Sequence, residues 1–306
     1  MRAYDRLTGA GGQTAILMDA PPETGEDVRP FVRIATFLRA AGLSAPEILA
    51  EDAPSGLLLI EDFGDALFAD LMAADRDRQL PLYRAAADVL LALRAVDPPD
   101  LQVCDAHWLT SMLDPVWDWY APETDRQGKA EFLALFDPLA RQVAETRKVL
   151  MLRDFHAQNL LLLPDRDGVR RVGILDFQDA MLAHPAYDLV SILQDARRDV
   201  DPGIEAAIVD YYLKSANSDP EPFRRSYAVL GLQRNLRILG IFARLCLRDG
   251  KAAYVDLIPR VWGYFTRNLT QPDLAPLAPA LSRLLPEPDP DFLNRMKKRC
   301  PKPPTP

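Results

Sequence analysis

The spacing of hydrophobic residues changes near residue 64. Before it, YDRLT and TAILMDA have the composition of strands, and the intervening GAGGQ is typical of a hairpin turn because glycine readily adopts positive φ. A third apolar run, LLLIE, also has strand length. The segment RPFVRIATFLRAAG has apolar residues at helical spacing and Gly42 at the position of a C-cap. These patterns predict a small strand-rich lobe over residues 1–63.

From residue 64 onward, most apolar positions follow the helical period. Four segments are predicted to be helices: LPLYRAAADVLLALRAV, HWLTSMLDPVWDWYAPE, KAEFLALFDPLARQVAETRK and AYDLVSILQDARRDV. The helix of KAEFLALFDPLARQVAETRK is expected to be interrupted at its proline. Two short apolar runs, Leu160–Leu163 and Val172–Leu175, instead have the length of buried strands. We therefore predict an α+β protein with a large, mainly helical lobe over residues 64–306.

Composition narrows the classes of partner. The net charge of −8, without clustered Lys or Arg, argues against binding to nucleic acid. Cys104, Cys246 and Cys300 are too widely spaced to indicate a zinc site or a disulfide framework, which favours the reducing cytoplasm. The polar N-terminal segment has no apolar signal region, and no apolar run approaches the length of a membrane span. We expect a cytoplasmic protein without membrane contact.

Three polar residues border the two short strands. Asp154 precedes Asn159 by five positions in LRDFHAQN, and Asp176 follows Val172–Leu175 in ILDFQD. Each residue alone is typical of a turn or a cap. Together, they have the arrangement of kinase-type phosphoryl transfer, in which one Asp accepts the proton of the attacking hydroxyl while an Asn and a second Asp hold Mg²⁺. The combined pattern predicts a kinase active site.

The motifs around these residues resemble a known family. LRDFHAQNLLL, VGILDFQDA and HPAYDLVSIL are similar to the aminoglycoside phosphotransferase and choline kinase-like superfamily. AILMDAPPE, PFVRIATFL, LLLIEDFGD and DPVWDWY extend this resemblance to bacterial anomeric kinases of N-acetylmuramate and N-acetylglucosamine in cell-wall recycling. The resemblance implies a bilobal, protein-kinase-like fold. It also implies transfer of the γ-phosphoryl group of ATP, with Mg²⁺, to the C1 hydroxyl of the sugar.

The resemblance assigns roles to individual residues. Asp154 is the expected catalytic base, and Asn159 and Asp176 are the expected magnesium ligands. Asp188, in the YDL segment, is expected to brace the catalytic loop through hydrogen bonds. His156 does not match the family His, which precedes the catalytic Asp; it follows Asp154 and is expected to face the acceptor.

The nucleotide site departs from the kinase pattern. Backbone groups of Glu61 and Phe63 are expected to face adenine, but no Lys occurs before Lys129 to hold the phosphates. Arg2 and Arg33 are the candidates to replace that Lys, although each is also compatible with a solvated surface position. The family has further residues before the segment that matches RAYDRL, so either an N-terminal truncation or a late start of this sequence is compatible with the resemblance, and in either case impaired nucleotide binding is expected.

The candidates for the acceptor pocket are aromatic, acidic and arginine side chains outside the kinase motifs. Trp117 and Tyr120 share a helix face and are candidates to pack against a sugar, with core packing as the open alternative. Asp118 is a candidate hydrogen-bond partner of a sugar hydroxyl. Arg197 and Arg198 are candidates to pair with a lactyl carboxylate, or else lie on the surface.

Two other functions stay open. One is a kinase of another small alcohol, such as an aminoglycoside, choline or homoserine. Cationic acceptors require acidic or aromatic pockets, so an Arg-lined pocket would argue against aminoglycosides and choline. The other is a non-catalytic nucleotide-binding protein, which the missing Lys favours and the combination of Asp154, Asn159 and Asp176 argues against.

Overall fold

The structure, a computed structural model, describes residues 2–301. The described chain divides into two compact units. The first unit comprises residues 2–102, 149–192 and 203–216, and the second comprises residues 103–148, 193–202 and 217–301. Within the described residues, no helix is both long enough and apolar enough to cross a lipid bilayer.

The regular elements are numbered in chain order. The strands are β1 (Ala3–Thr8), β2 (Thr14–Asp19), β3 (Ile48–Asp52), β4 (Leu57–Glu61), β5 (Val149–Met151), β6 (Leu160–Leu162), β7 (Val172–Ile174) and β8 (Met181–Ala183). The helices are α1 (Arg29–Ala40), α2 (Phe68–Ala74), α3 (Gln79–Ala95), α4 (Ala106–Ser111), α5 (Arg126–Ala144), α6 (Ala186–Leu193), α7 (Pro202–Ser215), α8 (Pro220–Leu247), α9 (Ile258–Asn268), α10 (Ala278–Leu284) and α11 (Pro290–Lys298).

The first unit contains a four-stranded antiparallel sheet in the order β1-β2-β4-β3. Its β1–β2 hairpin pairs Thr8 with Thr14, which confirms the predicted turn at GAGGQ. Strand β3 has no counterpart in the prediction, because four of its five residues are exposed and give no apolar alternation. The strands that flank the candidate catalytic residues form two small antiparallel pairs, β5 with β8 and β6 with β7.

The predicted helix α1 and its terminating glycine are both confirmed. Phe31, Ile34 and Leu38 form its buried face. Gly42 has φ of 77°, and its amide donates to the carbonyl of Arg39 at 3.0 Å. The amide of Leu43 donates to the carbonyl of Leu38 at 3.0 Å, which completes a Schellman-type end. Glycine adopts this left-handed conformation without the steric penalty of a side chain.

Three of the helical predictions after residue 64 are corrected by the structure. The segment predicted as one helix from residue 107 breaks after α4, and Val116–Tyr120 forms a separate π-helical turn behind Pro115, which has no amide to donate. Helix α5 passes through Pro138 without interruption, because buried side chains pack on both sides of that residue. Helix α6 was predicted over residues 186–200 but ends at Leu193. Beyond it the chain turns, and the Asp195 side chain accepts a hydrogen bond from the Arg197 amide at 2.9 Å.

Helix α8 and the turn before Val116 approach each other closely at Gly240. A Cβ at this position would lie 2.1 Å from the carbonyl carbon of Pro115 and 2.3 Å from its oxygen. We expect Gly240→Ala to lower the free energy of unfolding by about 3 kcal/mol, because backbone atoms cannot move aside. Gly263→Ala in α9 is the matched control, since its Cβ would meet no atom within 4 Å. Equal urea midpoints for the two variants would contradict this expectation.

Candidate active site

The loop between β5 and β6 holds Asp154. The Asp154 amide donates to the Leu152 carbonyl at 2.9 Å, and Arg153 between them has φ of 72°. This left-handed residue turns the chain sharply as it leaves the buried strand β5. The Asp154 side chain is consequently half-buried in a loop fixed at its base by a strand.

Asn159 connects this loop to Asp176. Its Nδ2 donates to the Asp154 carbonyl at 2.9 Å and to Asp176 Oδ2 at 3.3 Å. The Leu175 amide donates to the Asn159 carbonyl at 2.9 Å, which fixes the Asn159 backbone as well. Both of these contacts use Nδ2, and neither of them uses the amide oxygen Oδ1.

Asp176 lies two positions after the last residue of β7, in an uncommon backbone conformation. Its φ is 58°, a left-handed value that Asp tolerates better than most residues. The side chain is exposed, and its Oδ1 accepts from Gln178 Nε2 at 2.7 Å. The following residue, Phe177, is fully buried and stacks on Phe31 with ring centroids 4.8 Å apart. The buried ring anchors the turn, so the Asp176 carboxylate is held toward solvent.

Asp188 joins helix α6 to the base of the loop. Its Oδ2 accepts from the Leu152 amide at 2.6 Å, and its Oδ1 accepts from the Arg153 amide at 3.0 Å. The side chain is 3% exposed. Both carboxylate oxygens therefore contact the two residues that immediately precede Asp154, and the bracing role of Asp188 stays a prediction.

The start of α6 is itself fixed by a neutral histidine. His184 is buried, and its Nδ1 accepts from the Ala186 amide at 3.0 Å. Burial lowers the pKa of His184 to about 4, and the charge of Arg94 acts in the same direction. The ring stays neutral near pH 7, so it can accept this hydrogen bond and help orient the first turn that carries Asp188.

His156 lies inside the loop. It is 6% exposed, and its Nε2 is 3.5 Å from Asn159 Nδ2. Its amide donates to the Asp154 carbonyl at 3.0 Å. The structure thus places this ring against a predicted metal ligand, and an acceptor-facing role stays a prediction.

Arg2, the first candidate to replace the missing Lys, is paired with a carboxylate. Its Nε lies 2.9 Å from Glu26 Oε2, an ion pair without hydrogen-bond alignment. Partial burial raises the pKa of Tyr4, Arg2 opposes this shift, and the charge of Asp176 adds to it. Tyr4 is therefore within electrostatic range of both Arg2 and Asp176. Composition excludes a Lys–Glu pair in this lobe, and the structure contains an Arg–Glu pair there instead.

Arg33, the other predicted phosphate-binding candidate, has a different environment. It lies on the exposed side of α1, and its guanidinium donates to the backbone carbonyl of Asp100. This contact holds the side chain against the segment that follows α3. Phosphate binding by Arg33 stays a prediction. The hydrogen bond with the Asp100 carbonyl does not favour it, because it engages the guanidinium elsewhere.

The predicted hinge at Glu61 and Phe63 includes a residue that sequence patterns missed. The Glu61 amide donates to the Glu47 carbonyl at 2.9 Å, and its carboxylate pairs with Arg166. The Arg166 guanidinium also lies 5.1 Å from the centroid of the Phe63 ring. Arg166 occurs in the charged loop DRDGVRR, where its sequence context is typical of a solvated turn. No sequence signal distinguishes it from the neighbouring arginines.

The donor set at Asn159 and Asp176 has the chemistry that Mg²⁺ prefers. One carboxylate and one amide oxygen are hard oxygen ligands, and their side chains are already in contact at 3.3 Å. Within the described residues, no three His, Cys, Asp or Glu side chains cluster as a metal site. Two protein ligands are nevertheless sufficient for Mg²⁺, which commonly completes its coordination with phosphates and water.

The aromatic acceptor candidates lie in the core of the second unit. Trp117 is 6% exposed and packs edge-on against Phe132, with ring centroids 5.5 Å apart. Tyr120 is 1% exposed, and its hydroxyl donates to the Pro286 carbonyl at 2.8 Å. The sequence leaves two roles open for these rings, sugar binding and core packing. Their burial supports core packing. Asp118, between them, is exposed.

The arginine candidates follow α6. Arg197 is exposed and Arg198 is half-buried. The Arg198 carbonyl accepts from the Tyr264 hydroxyl at 3.0 Å, which fixes the turn that carries both side chains. Their pairing with an acceptor carboxylate stays a prediction.

The chain is similar in sequence to a protein family and to several curated enzymes. The model of the phosphotransferase enzyme family matches residues 2–225. An N-acetylmuramate/N-acetylglucosamine kinase from Caulobacter vibrioides is 41% identical over 326 aligned positions, covering 93% of this chain and 89% of that protein. A protein of the same name from Pseudomonas aeruginosa is 34% identical over 297 positions, covering 92% of this chain and 85% of that protein.

Solved structures share the fold at low sequence identity. A choline/ethanolamine kinase family protein from Mesorhizobium loti has a TM-score of 0.60 at 15% identity, covering 92% of each chain. A type VIII aminoglycoside-3'-phosphotransferase has a TM-score of 0.52 at 19% identity, covering 74% of this chain and 88% of that chain. These similarities confirm the predicted fold class.

Proposed function

Because this chain belongs to the phosphotransferase enzyme family, we propose that it transfers the γ-phosphoryl group of ATP, with Mg²⁺, to the C1 hydroxyl of N-acetylmuramate or N-acetylglucosamine. The amino sugar specificity is carried over from the names of the curated relatives, at 41% and 34% identity. We place this reaction in the cytoplasm, in the recycling of cell-wall sugars.

One observation carries the phosphoryl-transfer mechanism: Asn159 Nδ2 links the Asp154 carbonyl to the Asp176 carboxylate. This contact holds the loop that carries the Asp154 carboxylate next to Asn159 and Asp176, the two proposed oxygen ligands. A non-catalytic nucleotide-binding protein has no need for Asp154 beside such a pair. The geometry therefore favours the enzyme over the non-catalytic alternative.

Asp154 is the base in this proposal. Its carboxylate accepts the proton of the sugar C1 hydroxyl as the hydroxyl oxygen bonds to the γ-phosphorus. The bond between that phosphorus and the β–γ bridging oxygen breaks, and ADP leaves with its electron pair. Asp188 is a positioning residue, since it contacts the backbone before Asp154 and not the reacting atoms.

Asn159 Oδ1 and the Asp176 carboxylate would hold Mg²⁺. When bound, this ion neutralises charge on the phosphates of ATP. Nδ2 of Asn159 meanwhile stays bonded to the Asp154 carbonyl at 2.9 Å, which keeps the base and the ligand in a fixed relation. Backbone groups of Glu61 and Phe63 are proposed to face adenine, with the Glu61 carbonyl as the available group because its amide is bonded to Glu47.

Arg2 is proposed to take the place of the missing Lys. We expect Arg2→Ala to raise the KM for ATP about tenfold, because it removes the guanidinium that this proposal assigns to the phosphates. Arg2→Lys should restore part of this loss. Arg33→Ala is the matched control, since Arg33 is held by Asp100, and it should leave the KM within about twofold of the parent value. A larger effect of Arg33→Ala than of Arg2→Ala, in steady-state kinetics, would reverse the assignment.

The acceptor pocket is proposed to use polar side chains. Asp118 is exposed and available to a sugar hydroxyl, whereas Trp117 and Tyr120 are committed to the core. Arg197 and Arg198 are proposed to pair with the lactyl carboxylate of N-acetylmuramate, since Arg binds carboxylates in a bidentate manner. His156, buried beside Asn159, is proposed to support the loop.

A phosphate-transfer panel tests the substrate. The acceptors are N-acetylmuramate, N-acetylglucosamine, kanamycin, choline and homoserine, with ATP and Mg²⁺ and phosphorus NMR of each product. We expect an α-1-phosphate of one or both amino sugars. A C6 phosphate, or transfer only to one of the other acceptors, would overturn the substrate assignment but leave the kinase assignment standing. No transfer, together with no thermal stabilisation by ATP and Mg²⁺, would overturn both.

A further inference from the structure

Two of the three cysteines come together in the second unit. Cys246 lies in the last turns of α8, and Cys300, which is 54 residues further along the chain, follows α11. The Cys300 thiol donates to the Cys246 carbonyl at 3.1 Å. The Cys246 thiol donates to the Met296 carbonyl, in α11, at 3.7 Å. Each thiol therefore points toward the segment that carries the other.

The backbone around both cysteines fixes this arrangement. The Cys246 carbonyl also accepts from the Gly250 amide at 3.2 Å, and the Cys300 amide donates to the Lys297 carbonyl at 3.1 Å. Gly250 has φ of 70°, and a Cβ there would lie 3.0 Å from the Pro301 carbonyl oxygen. The chain on either side of Cys300 is thus packed against the turn that ends α8.

We propose that Cys246 and Cys300 are a site of reversible oxidation, at which a hydroperoxide forms a disulfide that ties the end of α11 to α8. Cys300 is half-buried whereas Cys246 is fully buried, so the oxidant reaches Cys300 first. Burial and the hydrogen bond with Cys300 raise the pKa of Cys246 to about 12, which keeps Cys246 protonated until the second step.

The chemistry balances in two steps. The Cys300 sulfur attacks the peroxide, an S–O bond forms, the O–O bond breaks, and the departing oxygen leaves as water, which gives a sulfenic acid. The Cys246 sulfur then attacks the Cys300 sulfur, the S–S bond forms, the S–O bond breaks, and the hydroxyl leaves with the Cys246 proton as water. Two thiols are oxidised by two electrons, and one hydrogen peroxide is reduced to two waters.

The test uses the whole chain of 306 residues with hydrogen peroxide as the oxidant. After treatment, alkylation under denaturing conditions and intact mass measurement should show an unlabelled pair, the mass of two hydrogen atoms lost, and Cys104 as the one alkylated cysteine. Oxidation should raise Tm by about 5 °C, because the disulfide closes a long loop, and dithiothreitol should reverse the shift. A peptide map should link Cys246 to Cys300.

Cys300→Ser is the informative variant, because its half-buried side chain tolerates the change better than buried Cys246. It should lose both the linked peptide and the Tm shift, whereas Cys104→Ser should keep both. Sulfinic acid on Cys300 with Cys246 still alkylated, or a disulfide between two chains, would overturn the proposal. An equal Tm response of Cys300→Ser and the parent would also overturn it.

Discussion

Asp154→Asn is expected to lower kcat about a thousandfold while leaving ATP binding nearly unchanged. The substituted amide has the size of the carboxylate and preserves the loop, whose backbone bonds run through the Asp154 amide and carbonyl and not through its side chain. It lacks only the capacity to accept the hydroxyl proton. The loss should therefore appear in turnover, with little change in the KM for ATP.

Steady-state kinetics and ATP titration by calorimetry measure these two effects separately. Asp179→Asn is the matched control, because it removes an equal charge from an exposed side chain 4.0 Å from Arg153. Its turnover should stay within about twofold of the parent value, as expected for an exposed ion pair. Turnover in Asp154→Asn within a few fold of the parent would remove Asp154 from its role as the base. Asp176→Ala should differ from both by weakening magnesium-dependent ATP binding.

The local features of the fold were predictable because they depend on neighbouring residues. Helix α1 shows its apolar stripe and its terminating glycine within fourteen residues, and the β1–β2 hairpin shows its glycine turn. The family, the fold class and the phosphotransferase activity predicted from the motifs are likewise confirmed by the family match and by the curated relatives. The contact of Asn159 with Asp176 follows from two adjacent strands, β6 and β7.

Features that depend on distant residues were not predictable. The ion pair of Arg2 with Glu26 and that of Arg166 with Glu61 join segments whose proximity no periodicity encodes. The aromatic segment around Trp117 was predicted as a regular helix because spacing cannot report a π-helical turn behind a proline. Its close approach to Gly240 arises more than a hundred residues along the chain. Which aromatic rings face a ligand and which face the core is decided by such tertiary contacts.

Asp188→Ala is expected to damage both stability and turnover, although Asp188 contacts no reacting atom. It leaves the Leu152 and Arg153 amides without the acceptors they have at 2.6 and 3.0 Å, next to a residue with φ of 72°. Unpaired buried amides should lower the free energy of unfolding by about 3 kcal/mol. Release of the backbone before Asp154 should lower kcat about a hundredfold, because the base loses its fixed position.

Asp188→Asn distinguishes hydrogen bonding from a purely steric role. Its amide keeps the shape but has one oxygen, so it can accept from one backbone amide while its own NH₂ group opposes the other. We expect an intermediate kcat and an intermediate urea midpoint. Asp70→Ala, which removes an exposed first-turn Asp from α2, controls for loss of charge at a helix N-terminus and should change stability by about 0.5 kcal/mol. If Asp188→Ala matched Asp70→Ala in stability, the two hydrogen bonds of Asp188 would not brace the loop, and the position of Asp154 would have to be fixed by Asn159 and by the backbone hydrogen bonds within the loop.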